Sequence, residues 1–444
     1  MAPPIKRRER DTIVQALRAG VVPRLGLQHI QVGRAREIGE IVRDIERVND
    51  GASAIRFVIG EYGSGKTFFL NLIRLVALEK GLVTFSADLA PDRRIHATGG
   101  QARGLYAEMA RNAATRSKPD GGAMASIVER FVGKARAEAE EGGRHTGEVI
   151  ADRLAHFEEM TGGFEFATVV RKYWEGFDTD DEELKSSALR WLRGEFATRT
   201  DARKALGVRT IVDDGSVYDH LKLMSAFVRA AGYGGLLIVW DELVNLYKLT
   251  SRQARDSNYE QILRVLNDVL QGSASHIGFL LGGTPEFLMD TRRGLYSYEA
   301  LRSRLSENAF ASDGLVDMSG PVIRLASLSP EDMFVLLRNV RRVMQGEEGA
   351  LPDDALHAFM AHCSNRIGEA YFRTPRNTVT AFVQMLSVLE QNPGTDWHDL
   401  IERVEVGADG GDDLSDIDDG EGATDGAAPP KTGPEDDELA SFKL

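Results

Sequence analysis

Short, continuous apolar runs alternate with segments of helical periodicity along this chain. The apolar runs are Ala54–Ile59, Leu82–Ala87, Leu236–Trp240, Ile277–Leu281 and Val322–Leu325. Strands of a parallel sheet have such sequences because both of their faces are buried. The alternation therefore predicts an α/β fold with a parallel, doubly wound sheet, in which a ligand would bind at the carboxyl ends of the strands.

A long stretch with no strand pattern separates the second and third apolar runs. Its helical segments are Ile127–Ala139, His145–Glu159, Phe164–Gly176, Glu182–Thr198 and Val217–Ala231. Their apolar positions recur at the spacing of a helix. We therefore interpret residues 99–232 as a helical insertion that forms a sub-domain for partners or substrates.

The order of the predicted elements divides the chain into consecutive regions. They are lead-in helices (residues 1–50), the first half of the core (51–98), the helical insertion (99–232), the second half of the core (233–328), a C-terminal helical lid (329–404) and a tail (405–444). The lid is predicted because helical spacing begins at Pro330–Val343, after the last apolar run.

The tail carries most of the net charge. The chain of 444 residues has a net charge of −14, of which residues 405–444 hold −11 through thirteen Asp and Glu against two Lys. Such an acidic segment, poor in apolar residues, is predicted to be disordered. It is either a solvated tail or a docking peptide in which Leu439, Phe442 and Leu444 contact a basic partner surface. The rest of the chain is nearly neutral.

Cysteine content and hydropathy indicate the compartment. The single cysteine, Cys363, excludes an intramolecular disulfide and a cysteine-based metal site. No apolar stretch approaches the roughly 18 residues that a membrane span needs. No signal-type apolar core follows Lys6–Arg8. We therefore expect a cytoplasmic protein without a membrane contact.

The loop after the first predicted strand has the spacing of a P-loop. Its residues are Gly60, Glu61, Tyr62, Gly63, Ser64, Gly65, Lys66 and Thr67, and Phe68 begins the apolar segment that follows. The glycines let backbone N–H groups surround a phosphate, and the start of the next helix adds its positive end. Lys66 would contact the β- and γ-phosphates, and the Thr67 hydroxyl would bind Mg²⁺. The simpler alternative is a glycine-rich connection without a ligand.

An acidic pair follows the third predicted strand. Asp241 and Glu242 come directly after Leu236–Trp240, as in a Walker B segment. Asp241 would hold Mg²⁺, and Glu242 would orient and deprotonate the attacking water. Acidic residues after a strand can also be helix caps. With a P-loop in the same chain, the pair predicts hydrolysis rather than a kinase-type transfer.

Basic side chains are interspersed with aromatic residues in the insertion. They are Arg171, Lys172, Arg190, Arg193, Arg199, Arg203 and Lys204. A nucleic-acid groove is one interpretation. Solvated helix faces around a small core are the favoured one, because the acidic stretches 138–141 and 178–183 lie nearby in the sequence.

Further residues resemble those of the AAA+ ATPases, especially the branch that contains replication initiators. Val32-Gly33-Arg34 with Glu37 resembles the box that contacts the adenine side of the nucleotide in that branch. Thr284 occupies the sensor-1 position, where a polar side chain helps to place the water or to detect the γ-phosphate. The resemblance implies an AAA+-like P-loop ATPase fold with a helical lid.

Two arginine roles follow from the same resemblance. The segment Ala300–Leu305 resembles one that presents an arginine finger to a neighbouring subunit, with Arg304 as the better candidate and Arg302 next. The segment Arg373–Arg376 resembles sensor 2, so that Arg376 would contact the γ-phosphate within its own subunit. A finger supplied by a neighbour implies a homo-oligomer.

A closer resemblance is to the BrxD-like P-loop ATPases of bacterial BREX-type phage-defence loci, over roughly residues 10–400. It rests on the P-loop, the lead-in Leu17-x-x-Gly20-x-x-Pro23, the long insertion, Trp240–Leu243, Gly283–Phe287 and Thr374–Arg376. This resemblance implies ATP and Mg²⁺ as ligands and action on DNA together with other defence proteins, often a large Lhr-like helicase. The tail departs from the shared pattern, so the resemblance implies nothing about it.

Two functions are compatible with these observations. The first is an ATPase that remodels or translocates DNA or a DNA-bound partner and hydrolyses ATP at a subunit interface. The second is a slow nucleotide-dependent switch or loader whose ATP-bound form recruits a helicase. A metabolic kinase is less favoured, because the sequence shows no acceptor pocket.

Overall fold

The core of the protein is a parallel sheet. The computed structural model describes residues 5–308, 317–346, 351–367 and 375–404. The strands are β1 (Ser53–Ile59), β2 (Val83–Asp88), β3 (Leu236–Asp241), β4 (Ile277–Gly283) and β5 (Val322–Arg324). They pair in parallel in the order β2-β3-β4-β1-β5. The prediction of a parallel α/β sheet is confirmed, and each strand lies within two residues of its predicted bounds.

Helices precede the sheet, connect its strands and follow it. Before β3 they are α1 (Arg7–Arg18), α2 (Ala35–Asn49), α3 (Lys66–Glu79), α4 (Gln101–Arg111), α5 (Met124–Gly142), α6 (Thr146–Ala155), α7 (Gly163–Asp178), α8 (Glu182–Leu192), α9 (Arg199–Leu206) and α10 (Val217–Ala230). After β3 they are α11 (Val244–Tyr247), α12 (Arg252–Leu270), α13 (Pro285–Met289), α14 (Glu299–Leu305), α15 (Pro330–Gln345), α16 (Asp353–Ile367), α17 (Pro375–Gln391) and α18 (Trp397–Glu402). Short 3₁₀ turns lie at Leu27–His29, His156–Glu159 and Leu295–Ser297.

Both faces of the sheet are covered by helices. On one face, Ala54 and Val58 of β1 pack with apolar residues of α2 and α3. On the other face, Ile55 and Phe57 of the same strand pack in a cluster that also contains residues of the insertion and of α12. Because successive strand residues point to opposite faces, each residue of β1 is buried. This double coverage explains the uninterrupted apolar runs.

The insertion shares its hydrophobic core with the sheet. Phe131, Phe166 and Trp191 belong to the same buried cluster as Phe57 and Trp240 of the strands. A rigid attachment follows, because a shared core leaves no solvated boundary between the insertion and the sheet.

One predicted helix of the insertion is too long. The segment Glu182–Thr198 is helical only to Leu192, and the next helix begins at Arg199. Gly194 has φ +68, and a Cβ there would lie 2.8 Å from the ring of Tyr106. The chain turns at this glycine because a close tertiary contact favours a left-handed residue over a further helical turn. The helix α4 had not been predicted from the sequence.

The N-terminal helix packs with the lid. Ile13 of α1 lies in a buried cluster with Leu337 of α15 and Phe382 of α17. The Thr380 hydroxyl donates a hydrogen bond to Leu17 O at 3.1 Å. The helix α1 therefore lies against the C-terminal helices, and residues 19–33 lead from it towards the P-loop, beside the carboxyl ends of the strands.

Candidate functional site

The sheet order brings three distant segments to one edge. β4 lies between β1 and β3, so the residues that follow these strands are neighbours. Gly60 N donates to Gly283 O at 3.2 Å, which aligns the start of the P-loop with the end of β4. On β3, Asp241 lies opposite Asp88 of β2. The P-loop, Thr284 and the Asp241–Glu242 pair thus meet, although the sequence separates them widely.

The glycines of the P-loop permit a tight turn. A Cβ on Gly60 would lie 2.6 Å from the Ser64 hydroxyl oxygen. Gly63 and Gly65 have φ +74 and +82, which glycine adopts without strain. The Ser64 hydroxyl is buried and has no hydrogen-bond partner among the residues that the structure describes. Such an unpaired group in a glycine loop fits a phosphate oxygen as its partner.

Lys66 is folded back onto its own loop. Its Nζ donates to Gly60 O and to Glu61 O, at 2.8 Å each. Burial lowers the pKa of Lys66, while the carboxylates of Asp241 and Glu242 oppose that shift. The ammonium group lies at the acidic pair, within the loop where phosphates are expected.

Thr67 and Asp241 are in direct contact. The Thr67 hydroxyl donates to Asp241 Oδ2 at 2.7 Å, and Asp241 Oδ1 accepts from Glu242 N at 2.9 Å. A Cβ on Gly282 would lie 2.4 Å from Asp241 Oδ1, so glycine leaves room for the carboxylate. Burial raises the pKa of Asp241 to about 6. Mg²⁺ in nucleotide sites is bound by one or two protein oxygens plus phosphates, and this hydroxyl–carboxylate pair fits that pattern.

Glu242 has an unusual backbone. Its φ is +58, a left-handed conformation that is rare for residues with a Cβ. The side chain is exposed and lines the cavity that also contains Lys66 and Thr67. Strain of this kind persists where the surrounding structure enforces it, and it is common at functional sites.

Thr284 has a local structural partner. Its side-chain oxygen accepts a hydrogen bond from Phe287 N at 3.4 Å and so caps α13. The residue is buried at the end of β4 and does not line the cavity. Its position agrees with a sensor at the strand end, but the observed contact is that of a helix cap.

Arg34 lines the cavity and contacts carbonyl groups of the P-loop. Its guanidinium donates to Ser64 O and, at 3.4 Å, to Gly65 O. The preceding Gly33 has φ +60, and a Cβ there would lie 3.2 Å from the Asp332 carboxylate of α15. Gly33 and Arg34 of the predicted adenine-side box thus lie between the P-loop and the lid.

The predicted arginines lie in two different places. Arg376 of α17 lines the cavity, and its Nε is 3.3 Å from the position of a Cβ on Gly20. Arg304 lies at the end of α14, where Nη1 donates to Ala300 O at 2.7 Å. Neither Arg304 nor the exposed Arg302 lines the cavity. Arg373 and Thr374 of the predicted sensor-2 segment, like the tail, lie outside the described residues.

A cavity of about 630 Å³ joins the P-loop, the lead-in and the lid. Its apolar wall was missed by the sequence reasoning and includes Val21, Val22, Ile30, Leu72, Leu328, Leu336 and Val379. Its polar side, also missed, includes Arg24, Arg74, Asp88, Arg93, Glu108, Asn112 and Asp120. Only Gly20 and Pro23, which bracket Val21 and Val22, gave a local signal. An apolar wall beside a phosphate loop suits a nucleotide base.

The basic side chains of the insertion are largely paired. The Arg171 guanidinium lies 3.3 Å from the Glu158 carboxylate, and the Lys172 ammonium lies 2.6 Å from the Glu175 carboxylate. Arg199 lies 3.1 Å from Asp213, and the Arg190 guanidinium stacks 4.7 Å from the Phe196 ring centroid. These pairs favour the interpretation of solvated helix faces over a continuous basic groove.

Comparison with protein families gives a match over most of the chain. A family model described as BREX system ATP-binding protein BrxC/D matches residues 5–405. No curated protein matches the chain. The matched range contains the lead-in, the sheet, the insertion and the lid, together with each predicted site residue.

Proposed function

This chain belongs to the BREX system ATP-binding protein family BrxC/D, and we propose that it is a Mg²⁺-dependent ATPase of AAA+-like architecture. Membership indicates ATP binding in phage defence and a role alongside other components of that system. The observation that carries the proposal of hydrolysis is the 2.7 Å contact between the Thr67 hydroxyl and Asp241. It places the P-loop and the acidic pair at one point, as phosphoryl transfer to water requires.

The residues of the P-loop would hold the triphosphate. The N–H groups at the start of α3 and the unpaired Ser64 hydroxyl would bind phosphate oxygens. The Lys66 ammonium would leave the loop carbonyls to which it donates and would bind the β- and γ-phosphates instead. Thr67 and Asp241 would hold Mg²⁺, which neutralises charge on the phosphates when it is bound. The apolar wall of the cavity would take the base.

Glu242 would act as the general base. It lines the same cavity as Lys66 and directly follows Asp241, with a left-handed backbone conformation. A carboxylate in that position can orient a water molecule and accept its proton.

The two arginines would act from different subunits. Arg376 lines the cavity from the lid and would contact the γ-phosphate in its own subunit. Arg304 lies away from its own cavity and would reach the nucleotide of a neighbour in a homo-oligomer. Thr284, at the end of the central strand β4, would detect the γ-phosphate by giving up its cap on α13.

We propose that the protein uses ATP hydrolysis to act on DNA through a DNA-bound partner such as a helicase. Direct contact with DNA is the less favoured route, because the basic residues of the insertion pair with carboxylates. A slow switch or loader remains the alternative. The specific ATPase rate, measured at several protein concentrations with and without DNA, separates the motor from the switch. A motor whose site is shared between subunits should hydrolyse ATP faster as the protein concentration rises and when DNA is added.

The primary test is the variant Lys66→Ala. We expect loss of ATP turnover and much weaker ATP binding, because the loop loses its only cation, while the fold is retained. Calorimetric titration with ATP and a phosphate-release assay measure both effects. Lys80→Ala is the matched control, since Lys80 follows the other end of α3 and pairs with Glu46 at 2.8 Å. Parental turnover by Lys66→Ala would overturn the assignment.

A further inference from the structure

The guanidinium of Arg34 is bound to the outer side of the P-loop. One nitrogen donates to Ser64 O and the other to Gly65 O at 3.4 Å. Its carbon lies 6.0 Å from the centroid of the Phe69 ring, which covers it from the side of α3. The arginine therefore touches the carbonyls of two consecutive peptide groups of the loop, and it also lines the cavity.

Peptide geometry gives these two contacts a consequence for the phosphate site. All described peptide bonds are trans, and in a trans peptide the C=O and N–H groups point in opposite directions. When Ser64 C=O points to Arg34, the N–H of Gly65 points to the other side of the loop. The same holds for the N–H of Lys66 and Gly65 C=O, an oxygen that also accepts the first hydrogen bond of α3 from Phe69 N at 3.0 Å. Both N–H groups thus face the side on which a phosphate would lie.

The backbone of Arg34 is adapted to this contact. Its φ is +59, in the left-handed region that residues with a Cβ rarely adopt. The left-handed turn over Gly33 and Arg34 precedes α2, so the side chain returns to the P-loop instead of continuing along the helix. Such a conformation is kept only where the surrounding contacts enforce it.

The same side chain also touches the connection to the lid. A guanidinium nitrogen lies 3.5 Å from Ala326 O, between β5 and α15. The orientation of the P-loop peptide groups is thereby linked to the segment that leads to the lid.

We propose that Arg34 is a positioning residue that holds the P-loop peptide groups in their phosphate-binding orientation. The proposal rests on the proposed function, since it requires the β-phosphate to bind at this loop. It assigns to Arg34 a role behind the loop, exerted through the carbonyls of Ser64 and Gly65, instead of a contact with the base.

The variant Arg34→Gly tests this role. Glycine accepts φ +59 without strain, so the substitution removes the guanidinium and leaves the turn intact. We expect ADP affinity to fall by about tenfold or more, as for the loss of a charge-assisted hydrogen-bond pair. AMP has no β-phosphate, so its affinity should not change. Calorimetric titration of the full chain with ADP and AMP measures the ratio.

Two further measurements separate positioning from a general structural effect. Free guanidinium at low millimolar concentration should restore part of the ADP affinity of Arg34→Gly, and Arg34→Lys should remain weak because an ammonium lacks the rigid planar fork with which the guanidinium spans these two carbonyls. Arg36→Ala is the matched control, since Arg36 is an exposed arginine in the first turn of the same helix. If Arg34→Gly does not fold, the ADP-to-AMP ratio of Arg34→Lys decides.

The outcomes distinguish this inference from the proposed function. Parental ADP affinity in the Arg34 variants, or an equal loss for ADP and AMP, overturns the positioning role. If Lys66→Ala also binds ADP as the parent does, the P-loop is not the phosphate site and the proposed function fails with it. Selective loss for ADP, with loss in Lys66→Ala, supports both.

Discussion

At the scale of single residues, the site combines tight packing with local strain. Gly60 and Gly282 are glycines because a Cβ would collide with Ser64 or Asp241. Glu242 is strained at φ +58 although most exposed residues relax to ordinary conformations. Asp241 is buried, which raises its pKa to about 6 in the absence of a bound cation. The strain at Glu242 and the burial of Asp241 each lead to a prediction.

The strain at Glu242 predicts opposite effects on activity and stability. We expect Glu242→Gln to bind ATP but to turn over on the order of a hundredfold more slowly, because an amide cannot accept the proton of water. Glu242→Gly should lose turnover too, yet gain about 1 kcal/mol in free energy of unfolding, since glycine adopts the left-handed conformation freely. Single-turnover hydrolysis and denaturant unfolding measure the two quantities.

Glu242→Ala is the control for this pair, because it removes the carboxylate and keeps the Cβ. It should lose turnover without gaining stability. Parental hydrolysis by Glu242→Gln would show that the carboxylate has only a structural role.

The burial of Asp241 predicts a pH-dependent stability. Its pKa of about 6 in the folded protein exceeds the value of about 3.9 in an unfolded chain. The folded state therefore holds this proton more tightly than the unfolded chain does, which stabilises the folded state at low pH. This stabilisation is lost as the pH rises through 6. The loss is on the order of 2–3 kcal/mol.

The measurement compares Asp241→Asn with the parent, without nucleotide or Mg²⁺, at pH 4.5 and pH 8 by denaturant unfolding. The variant has no charge to bury, so its free energy of unfolding should exceed that of the parent by more at pH 8 than at pH 4.5. An equal difference at both pH values would show that burial does not control the ionisation of Asp241.

At the scale of elements, α1 and α3 determine how the lid meets the sheet. Phe68 packs against the lid cluster, while the next residue, Phe69, packs in the cluster beneath the sheet. The helix that begins in the P-loop thus contacts both cores within its first turn. On the lid side, α1 contributes Ile13 to a core that also contains Ile30 of the lead-in and is formed mainly by C-terminal residues.

Removing the Ile13 side chain should loosen the lid selectively. The residue is fully buried, and Ile→Ala substitutions at such positions cost about 2–5 kcal/mol. We expect Ile13→Ala to speed hydrogen exchange in α15 and α17 and to leave β1 and β3 protected, because the strands belong to other clusters.

Hydrogen exchange followed by mass spectrometry gives the result for each helix. Asp11→Ala is the matched control, since Asp11 is exposed on the same helix. Equal loosening of the strands and the lid would mean that the molecule unfolds as one unit.

At the scale of the whole molecule, the proposed arginine finger lies outside the cavity of its own chain. The cavity receives Arg376 from the lid, but Arg304 lies on α14 and outside the cavity wall. If Arg304 is the finger that we propose, its guanidinium would act on the nucleotide of another subunit. The described residues contain no helix long and apolar enough to cross a membrane.

Arg304→Ala should bind ATP nearly as tightly as the parent and hydrolyse it far more slowly. An arginine supplied by a neighbour is worth roughly 10³–10⁵ in rate. Mixing Arg304→Ala with Lys66→Ala should restore part of the activity, because some interfaces then combine an intact P-loop with an intact Arg304. Phosphate release by each variant and by the mixture measures this rescue.

Labelled pull-down must first establish that subunits exchange in the mixture. Arg302→Ala tests the second finger candidate on the same helix and should turn over as the parent does if Arg304 is the finger. Exchange without any activity, or normal turnover by Arg304→Ala alone, would favour a single-subunit switch.

The sequence by itself determined the strands and predicted the chemistry of the short segments that follow them. Apolar runs identified the strands because burial on both faces leaves an uninterrupted pattern. The P-loop and the Asp241–Glu242 pair were recognisable because each is a short segment whose spacing relates directly to its chemistry. Family membership followed from the same residues and was confirmed over residues 5–405.

Only the tertiary structure decided which distant residues meet. The position of β4 between β1 and β3, the packing of Ile13 in the lid and the contact of Arg34 with the P-loop carbonyls join segments far apart in sequence. The same is true of the cavity walls and of the ion pairs that neutralise the insertion. Such contacts depend on many weak interactions across the whole fold, whereas local patterns record only whether a position is buried and how the chain repeats.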